Sequence, residues 1–357
     1  MRQKGNGEMF SGWGIHVAKK AFQNKVASTT QRNFINYLLW PLSLLYEIGA
    51  CCNNIMHTTF LRSKRLSKPV ISVGNITSGG TGKTPFIIYL AHKLQEKNKR
   101  CAILTRGYGF DEVYLLKNRL QDASMVVNKD RYKGAQGFLS SKGMTDVFLM
   151  DDGFQHRRLK RDLDIVLING LSPFGNGFLL PAGILRESLK ALRRANLVVV
   201  THADKLTSDD LDSLKKKIYS YKEGIPIVES AHTPLALFNA RTNEKREIAV
   251  LKGREVVAFC GIGFAEGFRK TLKQLGVKVI DFIEHLDHEE YSAASLTYLQ
   301  KVCEQNPNAL CVTTEKDFIR NTELWQNSEK IWVLSIMLKV IKNEELLNSV
   351  IDDVLSD

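Results

Sequence analysis

Short apolar runs rich in β-branched residues alternate with segments of helical periodicity along most of this chain. Such alternation predicts successive βαβ units, and therefore a mostly parallel sheet flanked by helices in an α/β fold. In the first half, strands are predicted at 70–73, 101–105, 147–150, 164–168 and 197–201.

Two helices of this half have clear start signals. One begins near Gly82, with an apolar stripe along one face and with Pro85 in its first turn, where a missing N–H does no harm. Another begins near Ser208, with Asp209 and Asp210 close to its positive end.

A second α/β pattern follows a polar stretch at 233–253, which is predicted to connect two domains. We predict a larger domain over 67–232 and a smaller α/β domain over 254–357. The elements predicted for the smaller domain are strand 256–259, helix 264–275 and strands 277–283, 310–313 and 331–336.

The N-terminal pattern differs from the rest. Residues 1–33 lack a continuous apolar core, so we expect a disordered extension and no secretory signal. Residues 34–46 are apolar and aromatic, but Asn36, Pro41 and Ser43 leave too short a run to span a bilayer. We expect 34–66 to form a helical segment lying in the membrane interface; a helix packed on the protein's own core is the alternative.

The charge balance favours an anionic partner. Lys and Arg number 50 against 38 Asp and Glu, a formal net charge of +12 over 357 residues. Arg62, Lys64, Arg65 and Lys68 follow the apolar segment and are suited to acidic lipid headgroups. Basic residues are not interleaved with aromatic ones in any RNA-binding pattern, so no nucleic-acid partner is expected.

The six cysteines form no C-x-x-C pair, and with the eight histidines they show no zinc spacing. Buried free thiols in a reducing, cytosolic compartment are the simplest account of them.

The most informative motif is the glycine-rich loop after strand 70–73, which ends in Gly-Lys-Thr before a helix. Backbone N–H groups of such a loop wrap phosphate oxygens. Lys83 is predicted to reach the β- and γ-phosphates of ATP, and Thr84 to hold Mg²⁺. Thr77 stands where the strict pattern has its first glycine, and a glycine-rich turn without ligand is the alternative. The predicted ATP-binding residues are Thr77, Ser78, Gly79, Gly80, Thr81, Gly82, Lys83 and Thr84.

Acidic residues follow two of the predicted strands. Asp151 and Asp152 end strand 147–150, where P-loop proteins usually hold Mg²⁺; a strand-ending turn is the alternative. Asp111 and Glu112 follow strand 101–105, where a carboxylate can take the proton of an attacking hydroxyl; a solvated acidic pair is the alternative.

Donors near these acids predict contacts with a substrate. His156 follows the Asp151–Asp152 pair, and Asn176, Arg186 and Glu187 lie in a long loop after strand 164–168. Ligands of open α/β sheets bind beyond the carboxyl ends of the strands, although ordinary turn chemistry explains this loop equally well. His288 lies among acids and is as readily explained as a surface residue.

These motifs together resemble the tetraacyldisaccharide 4′-kinase family of lipid A biosynthesis, from about residue 40 to the C-terminus. The D-D-G-F-Q-H-R and L-P-A-G-I-L-R-E blocks are the most specific. The matching blocks lie at 41–46, 73–75, 79–85, 106–108, 130–134, 151–157, 161–164, 180–187 and 313–317.

The resemblance implies an ATP- and Mg²⁺-dependent kinase that phosphorylates the 4′-hydroxyl of a tetraacyldisaccharide 1-phosphate, giving lipid IVA. It implies a monotopic protein on the cytoplasmic face of the bacterial inner membrane. It also implies that Asp111 is the base and that His288 orients it. The same family pattern places Asp151 and Asp152 in the metal site, and Arg131, with His156, Asn176, Arg186 and Glu187, at the substrate.

One segment departs from the family pattern. The family usually has R-G-Y-x-R-K-x-K-G and an insert before G-D-E-P, whereas here Gly109 and Phe110 lead directly to Asp111, Glu112 and Val113. The shortened loop keeps open an inactive family member as one alternative. A partner-switching P-loop ATPase is another, although such proteins have Lys where this chain has Ser78 and lack the L-P-A-G-I-L-R-E block.

Overall fold

The structure is a computed structural model that describes residues 34–55, 63–107, 109–285, 291, 293–321, 325 and 329–356. The helices are α1 (Phe34–Ile55), α2 (Lys83–Glu96), α3 (Phe110–Arg119), α4 (Arg131–Ser140), α5 (Ser208–Tyr219), α6 (Ala265–Gln274), α7 (Ala293–Gln305), α8 (Glu315–Arg320) and α9 (Glu344–Ser356). The strands are β1 (Val70–Asn75), β2 (Cys101–Thr105), β3 (Ser124–Val127), β4 (Val147–Asp151), β5 (Leu163–Asn169), β6 (Leu197–Thr201), β7 (Ile227–Asn239), β8 (Lys245–Arg246), β9 (Glu255–Cys260), β10 (Lys278–Glu284), β11 (Leu310–Thr314) and β12 (Ile331–Lys342).

These strands form one sheet in the order β10-β9-β11-β12-β7-β6-β5-β1-β4-β2-β3, with β8 paired to β7. Neighbouring strands are parallel except at β12–β7 and β7–β8, which are antiparallel. The predicted α/β class, a mostly parallel sheet flanked by helices, is confirmed.

The two halves of the molecule share this sheet through β7 and β12. Their pairing extends from Trp332–Asn239 to Lys342–Glu229, so β7 runs into the stretch 233–253 that was predicted to connect two domains. The final helix α9 then returns to the first half and buries Leu347 in its core. The domain boundaries stay a prediction.

The predicted apolar stripe of α2 lies in the core. Phe86, Leu90 and Leu94 are fully buried against β1, β2 and β4. Pro85 stands in the first turn of α2, as predicted. Strands β1, β4 and β5 are buried along their whole length. Because they are parallel, their carboxyl ends meet at one edge of the sheet, where the glycine-rich loop begins.

Helix α1 has its apolar side outward. Phe34, Leu38 and Leu45 are 82%, 68% and 65% exposed. Asn36 and Ser43 are buried instead, against the loop that precedes Leu185-Arg186-Glu187, which we call the L-R-E segment. Asn36 Nδ2 donates to Ala182 O at 2.8 Å, and Ser43 Oγ donates to Leu179 O at 2.9 Å. Among the helices described, none is both long and apolar enough to cross a membrane.

The prediction of free thiols is wrong for one pair. Cys303 at the end of α7 and Cys311 in β11 are joined as a disulfide in the core of the second half, because the helix returns directly onto the strand. Cys52, Cys101 and Cys260 form no disulfide with another described residue.

Candidate active site

Hydrogen bonds from strand ends hold the glycine-rich loop in place. We call residues 75–84 the P-loop wall. Asn75 Nδ2 donates to Thr81 Oγ1 at 2.9 Å, Asn169 Nδ2 to Gly80 O at 3.2 Å and Thr201 Oγ1 to Thr81 O at 3.1 Å. Because the donors come from three neighbouring strands, the loop is fixed by the sheet itself.

Two glycines of this wall need their freedom of conformation. Gly79 has φ +103° and Gly82 has φ +84°, a region that side chains with a Cβ rarely adopt. A Cβ on Gly82 would also lie 2.8 Å from His232 Nε2. The predicted turn between β1 and α2 is therefore present, with its N–H groups preceding Lys83 at the start of α2.

The L-R-E segment supports the same wall from the other side. Ser78 N donates to Ile184 O at 2.7 Å, and Arg186 N donates to Ile76 O at 2.8 Å. Thr77 pairs with Leu185 in an isolated bridge. The predicted ATP-binding residues Thr77 and Ser78 are thus partly committed to the protein's own backbone.

Lys83 and Arg186 converge on Asp152. Lys83 Nζ lies 3.4 Å from Asp152 Oδ1, and Arg186 Nη1 lies 2.9 Å from Asp152 Oδ2. Burial opposes ionisation of Asp152, but the two cations hold its pKa below the ordinary value. Asp152 is therefore an anion already paired before any ligand binds.

Asp151, the preceding residue, has the opposite character. It is buried, and its Oδ2 accepts a hydrogen bond from Thr105 Oγ1 at 3.3 Å. Burial, followed by the charge of Glu112, raises the pKa of Asp151 to about 6, although Lys83 acts against this shift. A carboxylate held in this way gains from a cation, which indicates a metal ligand.

Asp111 and Glu112 lie on the first turn of α3 and face different partners. Asp111 is 3% exposed, and its Oδ2 lies 2.7 Å from Arg320 Nη2 on α8. Glu112 Oε1 lies 2.6 Å from Lys316 Nζ and 3.5 Å from Thr84 Oγ1. Burial opposes ionisation of Glu112, but Lys316 holds its pKa below the ordinary value.

A cleft of about 1210 Å³ runs between the P-loop wall and residues 315–320 of α8, which we call the α8 wall. Glu112 lines this cleft and Asp111 does not. The residues that line its centre include Lys83, Thr84, Glu112, Arg131, Asp151, Asp152, His156, Arg186 and Lys316.

Two of the predicted substrate residues bring unsatisfied donors to this cleft. Arg131 is 7% exposed, and its guanidinium interacts electrostatically with Asp151 and Asp152. Burial, and then Arg131, lower the pKa of His156 to about 4, so this ring is neutral at pH 7. In the part of the chain that the structure describes, neither Arg131 Nε nor His156 Nε2 has a hydrogen-bond partner.

The other predicted site residues lie apart from the cleft lining. Asn176 donates to Ala182 O at 2.9 Å, and Glu187 accepts from Gln155, Arg157 and Arg194. Both side chains therefore stabilise the loop that carries Arg186, and their predicted contact with substrate stays a prediction. His288 lies outside the described residues.

The sequence-based prediction missed several residues that line the cleft, among them Glu112, Lys316, His202 and His232. Glu112 was considered only as the neighbour of Asp111, and its position three residues after Gly109 does not reveal which of the two acids faces the loop. His202 and His232 lie side by side in the lining of the cleft, with His232 Nδ1 2.9 Å from His202 Nε2. They are 30 residues apart, so no local motif joins them.

The donor set suits Mg²⁺ held together with phosphates. Thr84, Asp151 and Glu112 offer a hydroxyl and two carboxylates, the hard oxygen ligands that Mg²⁺ prefers. Among the described residues, no group of three or more His, Cys, Asp or Glu could enclose a metal ion. Mg²⁺ commonly takes one or two carboxylates and completes its shell with water and substrate phosphates.

A model of the family described as tetraacyldisaccharide-1-P 4′-kinase matches residues 35–110 and 111–356. The chain belongs to this family. The two matched segments meet between Phe110 and Asp111, within the segment that the sequence analysis found to depart from the family pattern. The family is that of an ATP-dependent kinase of lipid A biosynthesis, as the resemblance implied.

Individual relatives agree over most of the chain. The tetraacyldisaccharide 4′-kinase of Elusimicrobium minutum is 35% identical over 87% of this chain and 90% of its own length. That of Aquifex aeolicus is 36% identical over 86% of this chain and 96% of its own length. The crystal structure of Aquifex aeolicus LpxK in complex with ATP superposes with a TM-score of 0.68, at 35% identity, over 90% of this chain and all of that one.

Proposed function

We propose that this chain transfers the γ-phosphoryl group of ATP to the 4′-hydroxyl of a tetraacyldisaccharide 1-phosphate. The supporting observation is the convergence of Lys83, Asp151, Arg131 and Arg186 on one cleft beside a glycine-rich loop. In phosphoryl transfer the protein acts mainly by positioning the reactants and stabilising charge, and forms no covalent bond itself. Cations, a metal site and a held acceptor meet these needs.

The P-loop wall binds the nucleotide in this proposal. Backbone N–H groups of residues 79–83 and the Lys83 ammonium neutralise the β- and γ-phosphates. Lys83 exchanges Asp152 for phosphate at little cost, because Arg186 still pairs with Asp152 at 2.9 Å. The pre-formed loop requires no ordering when ATP arrives.

Thr84 and Asp151 would hold Mg²⁺ in this proposal, with Asp152 close by and Glu112 as a further oxygen donor. When bound, Mg²⁺ would neutralise part of the negative charge of the phosphates. The pKa of Asp151, raised by burial to about 6, still leaves it mostly ionised at pH 7, as a metal ligand must be.

Asp111 is the base in this proposal and accepts the proton of the 4′-hydroxyl, with His288 orienting it. Arg320 Nη2 lies 2.7 Å from Asp111 Oδ2. In this proposal the carboxylate exchanges Arg320 for the acceptor hydroxyl when the acceptor binds. Arg131 and Arg186 line the same cleft and position the acceptor, with the neutral His156 as an uncharged donor.

Labelled ATP separates this function from its rivals. The full chain in detergent micelles is incubated with γ-labelled ATP and tetraacyldisaccharide 1-phosphate, with Lys83→Met as the blank. Acceptor-dependent label in the lipid supports the kinase. Release of inorganic phosphate alone supports a partner-switching ATPase, and neither product supports an inactive member with a shortened loop.

The base is tested with two neighbouring variants. Asp111→Asn is expected to lower kcat at least about 100-fold, since proton acceptors contribute roughly 10²–10⁴-fold. Glu112→Gln should mainly weaken the binding of Mg²⁺ and so raise the Mg²⁺ concentration that activity requires. An unchanged kcat for Asp111→Asn removes Asp111 from the scheme.

We also propose that α1 places the cleft at the cytoplasmic surface of the inner membrane. Its outward face is apolar, its inward face is polar, and Tyr46 lines the cleft while its hydroxyl donates to Arg186 O at 3.1 Å. An acceptor whose acyl chains stay in the bilayer is then met at the membrane surface.

The double variant Leu38→Ser, Leu45→Ser tests this placement by co-sedimentation with anionic phospholipid vesicles. Each leucine is more than 60% exposed, so folding should be unaffected and binding should fall at least about tenfold. Met144→Ser, 70% exposed elsewhere on the surface, is the matched control. Equal binding by both variants would exclude α1 as the docking element.

A further inference from the structure

Two short helices meet across the cleft through three ion pairs. Asp111, Glu112 and Arg119 of α3 pair with Arg320, Lys316 and Glu315 of α8 at 2.7, 2.6 and 2.6 Å. Every pair joins the half of the molecule that carries the P-loop to the half that follows β8.

The middle pair differs from its neighbours in what it shares with the P-loop wall. Glu112 Oε1 accepts from Lys316 Nζ and also lies 3.5 Å from Thr84 Oγ1. A single oxygen atom, Glu112 Oε1, therefore lies between Lys316 Nζ and Thr84 Oγ1, the hydroxyl that is proposed to bind Mg²⁺. Arg119, whose partner is Glu315, has no such link to the P-loop among the contacts between described residues.

The second half also closes over the loop itself. A Cβ on Gly80 would lie 3.2 Å from Phe264 N, and one on Gly79 would lie 3.4 Å from Gly263 O. Gly263 lies in the same loop as Gly261, whose carbonyl accepts from Arg320 Nη1 at 2.9 Å. The loop that contacts the phosphate-binding turn is thus also bonded to α8.

The carboxylates in the cleft indicate a role for a second lysine that contributes positive charge. Three carboxylates, Glu112, Asp151 and Asp152, face the P-loop side, and Lys83 is 3.4 Å from one of them. Negative charge builds on the bridging oxygen as its bond to the γ-phosphorus breaks, while the charge of the transferred group is spread over its three outer oxygens. P-loop enzymes often add a cation from outside the loop to stabilise this charge.

We propose that Lys316 is a catalytic residue that contacts the terminal phosphate of ATP and is supplied by the second half of the molecule. Lys316 exchanges Glu112 for a terminal phosphate oxygen when the nucleotide binds, which its flexible four-carbon stem allows. In the transfer, the bond from the bridging oxygen to the γ-phosphorus breaks, the 4′-oxygen bonds to that phosphorus, and Asp111 takes the proton. Lys316 stays protonated throughout. This inference rests on the proposed function.

The test compares Lys316→Met and Lys316→Arg with Arg119→Met, which breaks the adjacent ion pair of the same helix contact. Lys316→Met should lower kcat about 10²–10³-fold, the usual loss for one transition-state donor. It should also weaken binding of ATP at least about fivefold while ADP binding stays within twofold of wild type. Lys316→Arg should recover at least about tenfold of the lost kcat, and Arg119→Met should change none of these values more than about threefold.

Nucleotide binding is measured by calorimetry, independently of transfer, so the Lys316 inference and the proposed function can fail separately. Equal losses of ATP and ADP affinity, or a kcat no lower than that of Arg119→Met, would overturn the inference. If Lys316→Met does not fold, as judged by its thermal unfolding, Lys316→Arg decides: retention of the preference for ATP over ADP supports the inference and its loss contradicts it.

Discussion

The P-loop wall and the α8 wall enclose the same cleft but are stabilised by different interactions. The P-loop wall is held by neutral hydrogen bonds from Asn75, Asn169 and Thr201, all buried at the ends of parallel strands. The α8 wall is held by ion pairs to α3, and two of these three pairs are partly exposed to solvent.

This difference separates a rigid part of the site from an adjustable one. Neutral buried hydrogen bonds are insensitive to salt, and leaving one unmade is costly. Partly exposed ion pairs exchange partners readily, because water and incoming anions compete for each charge. The nucleotide therefore meets a pre-formed turn on one side and exchangeable charges on the other.

The largest expected effect concerns the P-loop wall. Lys83→Met should lower kcat at least about 100-fold, because a principal cation on the β- and γ-phosphates is lost. Steady-state label transfer measures this, with Lys97→Met as the control at the far end of the same helix. Lys97 pairs with Asp352, whose side chain is 53% exposed, so the loss of Lys97 should leave kcat unchanged. Similar rates for both variants would contradict the account.

The buried ion pair of the α8 wall should show the next largest effect. Arg320→Gln leaves Asp111 buried without its cation and should lower the free energy of unfolding by about 3–5 kcal/mol. The side chains are 8% and 3% exposed. Urea unfolding measures the change, and Arg65→Gln, whose side chain is 68% exposed, should cost at most about 1 kcal/mol. Equal losses would mean that the α8 wall does not depend on this pair.

The pKa of Asp151 predicts a gain of stability. Its folded-state pKa of about 6 lies above that of the unfolded chain, so the folded protein binds more protons and is stabilised as the pH falls through 6. In metal-free protein at pH 8, Asp151→Asn should therefore raise the free energy of unfolding by about 1–3 kcal/mol. The gain should disappear near pH 4. A loss of stability at pH 8, measured by urea unfolding with a chelator, would refute the assignment.

The smallest effect tests the contrast between the walls directly. Thr201→Val removes a neutral hydrogen bond to Thr81 O and should cost about 1 kcal/mol at any salt concentration. Arg119→Met should cost less than about 1 kcal/mol at 0.1 M NaCl and nothing at 1 M, because salt screens its partner Glu315. Unfolding at both salt concentrations checks this. The same salt response for both variants would remove the distinction.

Local patterns were sufficient where burial is uniform. The strands predicted at 101–105 and 197–201 match β2 and β6 to the residue, since short apolar runs in a parallel sheet are buried on both faces. The glycine-rich loop was found because it needs a special backbone. Strand β3 was missed because it is short and partly exposed, which gives it no continuous apolar run.

Contacts between distant segments could not be predicted in this way. The choice between Asp111 and Glu112 depends on the position of α8, about 200 residues later in the chain. The pairing of Cys303 with Cys311 depends on how α7 returns to β11. The same holds for β7, which was not predicted because polar residues interrupt its sequence and its length depends on pairing with β12.

The most direct test of the central claim is the position of the transferred phosphate. The product formed from ATP, Mg²⁺ and tetraacyldisaccharide 1-phosphate is isolated and examined by phosphorus–proton correlation NMR. The account predicts a new phosphate monoester coupled to the 4′-proton, formed by the wild-type chain and absent with Lys83→Met. A phosphate on any other hydroxyl, or inorganic phosphate as the sole product, would contradict it.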